Sequence, residues 1–376
     1  MSLINRDFID TPEQQALDLE LFEAVSSERG ALWGAVASVL ARGANPNAIM
    51  QLPAPLAPPG KPLIYYTLSE RGRGFTRKND IPEPCDAPIG YWGRTTPIGA
   101  LLAMGDSASE SWESVADDVD PYPQWTFFQD VRVYEVLRVL LENGADPNAI
   151  HAHQSTSTHP AYKQDVTYCR WARPLSDVVG CLLCRCCELL LAYGADPMLL
   201  DPMGEHIFDS INTEHRNQEL TRSQLSIIAS LVDSGCAWAG HAPKPWKTLL
   251  GQASAILNLP LVEGLLALGA DPNAVDDHGG NSPLHELHSL PERDEYTCAD
   301  ELDLAQTQRL TRQIAAALLA AGADPTIRNR AGKTAAEMGN AALSMSIDLF
   351  FAERERALIA QELLEGKPQG GGAAWL

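Results

Sequence analysis

The sequence predicts an all-α fold, a solenoid of about seven helix-pair units with enlarged finger loops and inter-helix insertions. Three observations predict it. An apolar pair followed at a fixed offset by Gly-Ala-Asp-Pro-Asn, or a close variant, recurs with copies ending at Ile49, Ile150, Leu199, Val275 and Ile327, and a degenerate copy ends at Gly240. Upstream stand start strings at Thr96-Pro97-Ile98, Arg173-Pro174-Leu175-Ser176, Leu249-Leu250 and Ser282-Pro283-Leu284-His285. The spacing repeats too: 20 residues separate both Pro174 from Gly194 and Leu249 from Gly269, and 34 separate Gly235 from Gly269.

Each element has a physical reason. Thr96 or Ser282 ahead of proline caps a first helix, where proline needs no amide hydrogen. The pairs Leu140-Leu141, Leu190-Leu191, Leu265-Leu266 and Leu318-Leu319, each with an apolar residue three positions earlier, mark one face of a second helix. The glycine that follows suits a left-handed helix stop, and Asp-Pro opens a turn the helix cannot continue through. No unit buries its apolar stripe alone, so neighbours must stack and end copies must differ. They do differ: Asn45 replaces the aspartate in the first copy, and after Arg328 the chain runs into the charged Phe351–Arg356 stretch, which reads as a closing cap.

With these start strings, leucine pairs and glycine stops, the chain resembles the ankyrin-repeat family. The resemblance implies a unit of two antiparallel helices closed by a turn or hairpin finger, with fingers and first helices lining a concave groove. It implies that His285 is a structural histidine tying one repeat to the next, and that the chain binds proteins rather than catalyses a reaction. Units are expected near 21–49, 96–150, 174–200, 204–240, 248–276, 282–327 and 332–365, within one solenoid spanning 1–365 and a flexible tail at 366–376. Insertions fall near 50–95 and 151–172 on fingers, and near 105–130 and 290–309 between paired helices.

Composition narrows the function. The net charge of -21 disfavours nucleic acid and anionic membrane as partners and favours a basic protein. No run of eighteen apolar residues and no apolar leader occurs, so a soluble, cytoplasmic monomer is expected. Four of eight cysteines (Cys181, Cys184, Cys186, Cys187) crowd one helix, unlike a secreted disulfide framework. Cys187 aligns with Val262 and Ile228, a core position, and Cys184 lies one turn earlier on that face. Buried thiols serve there as small hydrophobes. A zinc reading of the His151–Cys187 region would use His151, His153 and Cys169.

Walker, H-E-x-x-H and G-x-S-x-G motifs are missing, so no enzyme activity, cofactor or metal is expected. Recognition is expected in the insertions, because residues 50–173 hold 14 of the 25 aromatics. The candidate partner-binding residues are Tyr65, Tyr66, Arg73 and Trp92 on the first finger, Trp171 on the second, and Asp117, Asp118 and Asp120 as a steering edge. These aromatics have a second reading, as the private core folding each insertion onto the array. The functional reading is a protein-protein interaction module. A narrower one is a bacterial immunity protein or host-directed effector. The competing class is a scaffold for a metal or catalytic site built from the insertions.

Overall fold

A computed structural model of the chain describes residues 2–3, 11–26, 33–51, 94–107, 133–159, 164–200, 206–211, 218–236, 248–276, 279–287, 303–338 and 341–364. They fall into two compact units, one of residues 1–212 and 217–244, the other of 213–216 and 245–376.

The first unit is built from helix pairs. α1 (Pro12–Val25) starts where Thr11 accepts a hydrogen bond from the Gln14 amide, with Pro12 in the first turn. It packs on α2 (Trp33–Ala41), burying Leu21, Phe22 and Val25 against a stripe of Val36, Val39 and Leu40. α3 (Pro97–Ser107) is followed by a helix described over 133–142, which we call α4, and α5 (Pro174–Gly180) pairs with α6 (Cys184–Ala192). A 3-10 turn at Ile207–Ser210 leads to α7 (Gln218–Asp233), whose Leu220, Ile227, Ile228 and Leu231 are buried. Val136, Leu137 and Leu140 of α4 and Cys186, Cys187 and Leu190 of α6 supply the same core stripe in their pairs. Cys187 is therefore a core residue, as expected; Cys184 is only half-buried, and Cys186 is the second buried thiol.

Among the described residues the strands form two small sheets. β1 (Ser2–Leu3), β2 (Met50–Gln51) and β3 (Arg94–Thr95) form a small antiparallel sheet in that order. The 151–172 insertion is a regular hairpin in which β4 (His151–His159) pairs with β5 (Gln164–Ala172) from His151↔Ala172 to His159↔Gln164.

The second unit pairs α8 (Leu249–Ala255) with α9 (Leu259–Ala267) and α10 (Pro283–Glu286) with α11 (Leu304–Ala320). A 3-10 turn at Ala336–Met338 then precedes α12 (Ala341–Leu364), which packs on α11. Its core holds Leu261, Val262 and Leu265 with Ile314, Leu318, Leu343 and Ile347. Every closing glycine read from the sequence, from Gly43 to Gly322, has a positive φ, as the helix stop requires. Two turns inside helix pairs use leucine in that conformation instead. Leu182 (φ 56) and Leu257 (φ 58) are buried, and apolar packing offsets the backbone strain.

Candidate interaction surface

The fingers are joined by a ladder of side-chain amides. Asn47 donates through Nδ2 to the Gly144 carbonyl (2.8 Å) and accepts the Asp146 amide (2.6 Å). One copy later, Asn148 donates to the Gly194 carbonyl (3.0 Å) and accepts the Asp196 amide (2.9 Å). In the second unit Asn273 makes the same two bonds, to the Gly322 carbonyl (3.0 Å) and from the Asp324 amide (2.7 Å). A carboxamide is the side chain that suits this place, because one planar group must donate and accept at once. The Asn47 rung joins residues 97 positions apart, so the segments lying between them are bypassed.

At the first finger of this sequence, α1 supplies both halves of the rung. Gln14 Nε2 donates to the Gly43 carbonyl (3.0 Å), while buried Asp18 accepts the Asn45 amide (2.7 Å). At the other end Thr326 stands where the rung asparagine would be, and its hydroxyl turns back onto Asp324 (2.6 Å). That bond and the Thr326 amide hold the Asp324 carboxyl below its usual range.

Paired helices, a glycine in the left-handed conformation after each, an Asp-Pro turn and a rung to the next copy recur in both units. The fold is that of the ankyrin repeat. No family model matches the chain, and no curated protein matches it. Similar solved structures include three ankyrin-repeat proteins. The ankyrin repeat protein EF0377 is 17% identical over 63% of this chain and 98% of its own, with a TM-score of 0.39. The human ASB11 ankyrin repeat domain is 17% identical over 68% and 97%, TM-score 0.38. The ankyrin repeat domain of Bcl-3, a member of the IkappaB family, is 18% identical over 62% and 100%, TM-score 0.31. The assignment of the fold rests on the chain's own helix pairs and rungs.

Among the described residues of the first unit the ladder is interrupted at the third finger. The third finger carries Met198 at the rung position, and a thioether has no hydrogen to donate. Met198 (46% exposed), Leu199, Leu200 and Tyr193 instead form an apolar run open to solvent, beside the exposed carboxylate of Asp196. Arg173, just after β5, holds this finger by donating to the Leu200 carbonyl (3.0 Å) and the Asn148 carbonyl (2.6 Å). The sequence reading missed this run, although methionine in place of asparagine within an otherwise matching copy is the signal that finds it.

The hairpin is anchored at its root by a histidine. His151 is fully buried, and its Nε2 lies 2.7 Å from Asp177 Oδ2 on α5. The ring occupies the space beside Gly99 of α3: a Cβ at 99 would sit 2.5 Å from His151 Cγ. The zinc reading proposed His151 as a ligand; the structure commits it to Asp177. Among the described residues no three His, Cys, Asp or Glu side chains gather as a metal site requires, and the side chains of His153 and Cys169 lie outside them.

His285 acts as the resemblance implied. Its Nδ1 accepts the Ser282 amide (3.2 Å) and lies 2.8 Å from the Ser282 hydroxyl, while Nε2 reaches the Lys333 carbonyl (3.0 Å) of the following turn. Buried His206 and Cys236 approach to 3.9 Å, but their chemistry is opposite to that of a nucleophilic pair. Burial, with the Asp196 charge as a second cause, pushes the Cys236 thiol up to about 11, and burial lowers the imidazole. Both groups are neutral at pH 7.

Of the residues proposed for recognition, Tyr65, Tyr66, Arg73, Trp92, Asp117, Asp118 and Asp120 lie outside the described residues. Trp171 is in β5, paired with Ala152 in β4, and its side chain is likewise outside them. Among the described residues no helix is long and apolar enough to cross a membrane.

Proposed function

We propose that this chain is a non-enzymatic protein-interaction module that holds a basic partner protein along its finger edge. The observation that carries the reading is the third finger, where the rung amide of Asn47, Asn148 and Asn273 is replaced by Met198 in an exposed run with Leu199 and Leu200. A solvated polar ladder contributes to stability, and surrendering one rung for apolar surface is a cost that binding offsets. Apolar anchors beside acidic residues fit a partner that brings its own apolar residues within a basic surround. The net charge of -21 adds long-range attraction for such a partner. The first-finger residues Tyr65, Tyr66, Arg73 and Trp92, with Trp171 and the Asp117, Asp118 and Asp120 edge, are proposed as further contacts of this module.

The test is capture from host lysate with three baits: the full chain, a Leu199→Asp/Leu200→Ser variant, and a chain whose 50–95 segment is cut to an ordinary repeat turn. A basic protein held by the full chain and lost from the Leu199→Asp/Leu200→Ser bait supports the third finger, and its loss from the shortened bait supports the first. Identical capture by all three baits refutes recognition by the fingers. If the captured proteins are acidic, the electrostatic part of the proposal is wrong.

A further inference from the structure

The last helix is longer than its packing explains. α12 runs 24 residues, about 36 Å at 1.5 Å per residue, yet among its described side chains the buried ones, Ala342, Leu343 and Ile347, lie in its first two turns. Past them Leu349 is 56% and Phe351 44% exposed, and Glu353, Glu355, Arg356 and Ala357 are all exposed. A helical segment with none of its described side chains buried is marginal in water on its own.

The sequence of that segment is symmetrically patterned. Residues 349–360 read Leu-Phe-Phe-Ala, then Glu-Arg-Glu-Arg, then Ala-Leu-Ile-Ala, an apolar block on either side of a charged ring. The pattern is self-complementary about the midpoint between 354 and 355. Laid antiparallel on itself, position 353 meets 356 and 354 meets 355, glutamate against arginine each time, while 350 and 351 meet 359 and 358, apolar against apolar. At about 100° per residue, 353 and 356 share one side of the helix and 354 and 355 the opposite side, so either side presents one glutamate-arginine match to an antiparallel copy. A parallel arrangement would instead set like charges against each other.

We propose that the projecting part of α12 is a self-association surface, pairing antiparallel with α12 of a second copy of this chain around a two-fold axis. This departs from the monomer expected from the sequence. The occupant follows from charge complementarity and does not depend on the partner proposed for the fingers. Two short helical segments bury an area at the low end of stable interfaces, so the dimer is concentration-dependent.

The experiment is analytical ultracentrifugation of the full chain over a hundredfold concentration range, together with ring variants. Arg354→Glu/Arg356→Glu makes the ring wholly acidic, and Glu353→Arg/Glu355→Arg makes it wholly basic. The wild type is expected to move from monomer to dimer as concentration rises, each single-sign variant to remain monomeric, and their equimolar mixture to form a heterodimer. A third variant exchanges all four charges, restoring self-complementarity with composition unchanged, and is expected to dimerise as the wild type does. A wild type that stays monomeric throughout, single-sign variants that dimerise like the wild type, or a mixture that does not associate each overturns the proposal. Unchanged circular dichroism of the variants separates loss of pairing from loss of fold.

Discussion

Replacing Gly99 with alanine adds one methyl group where the structure has no room for it. The new Cβ would lie 2.5 Å from His151 Cγ, 2.6 Å from His151 Cβ and 2.6 Å from Thr95 Oγ1, against about 3.4 Å for ordinary contact. Something must move by about 0.9 Å. The ring cannot yield easily, because it is fully buried and its Nε2 is bonded to Asp177 at 2.7 Å. Overpacking of this kind costs about 1–3 kcal/mol, and loosening a buried hydrogen bond adds about 1 kcal/mol or more. Against this, alanine is the better helix former by up to ~1 kcal/mol. The net expectation is a loss of about 1–3 kcal/mol. Gly34 in α2 is the matched control, since nothing lies within 4 Å of its Cβ position and its φ is ordinary. There the same substitution should stabilise by up to ~1 kcal/mol. Urea denaturation of both variants, followed by hydrogen exchange in the β4–β5 hairpin, reads the two signs separately. The cost at 99 should shrink when His151 is also changed to glycine, because the clash is then gone. Equal effects at 99 and 34, or full additivity with His151→Gly, would show that the histidine is not seated as described.

Asn148→Ala removes two rung bonds and is expected to destabilise the first unit by about 1–2 kcal/mol, measured by urea denaturation. Met198→Asn restores the rung residue, and should raise the melting temperature while reducing partner capture; a stabilised variant that binds equally well would separate the ladder gap from recognition. His285→Ala severs the contacts with Ser282 and the Lys333 carbonyl and should cost about 1–3 kcal/mol, visible as faster amide exchange across 282–287 and 329–333. Stability should also bend with pH at both ends. The folded state disfavours protonated His206, so stability falls as pH drops through the unfolded value of 6.5. It disfavours the Cys236 thiolate, so stability falls again as pH rises from 9.0 to about 11, by up to ~3 kcal/mol. Cys236→Ala, the residue the other copies carry, should flatten the alkaline limb in urea midpoints taken from pH 8 to 11.

The parts of this molecule legible in its sequence are those set by local physics. The glycine stops at 144, 194, 269 and 322 take positive φ because no other residue adopts it cheaply after a helix. Leu140, Leu190, Leu265 and Leu318 are buried because helical periodicity puts each on the same side as the apolar residue three positions earlier. Cys187 could be placed in the core by alignment with Val262, and the role of His285 was implied by the resemblance that Ser282-Pro283-Leu284-His285 carries. The left-handed turns at Leu182 and Leu257 could not be read, because leucine carries no turn signal and is held there by burial.

What the sequence determined by itself was the repeating unit, since each letter of Leu-Leu-x-x-Gly-Ala-Asp-Pro answers to a backbone or packing need met within a few residues. The tertiary structure alone decided which residues meet across insertions. Gly99, His151 and Asp177 form one packed group, and Asn47 reaches Gly144, although chain separation gives no hint of either. It likewise showed Met198–Leu200 to be solvent-exposed, because whether an apolar side chain is covered depends on neighbours that only stacking brings into place.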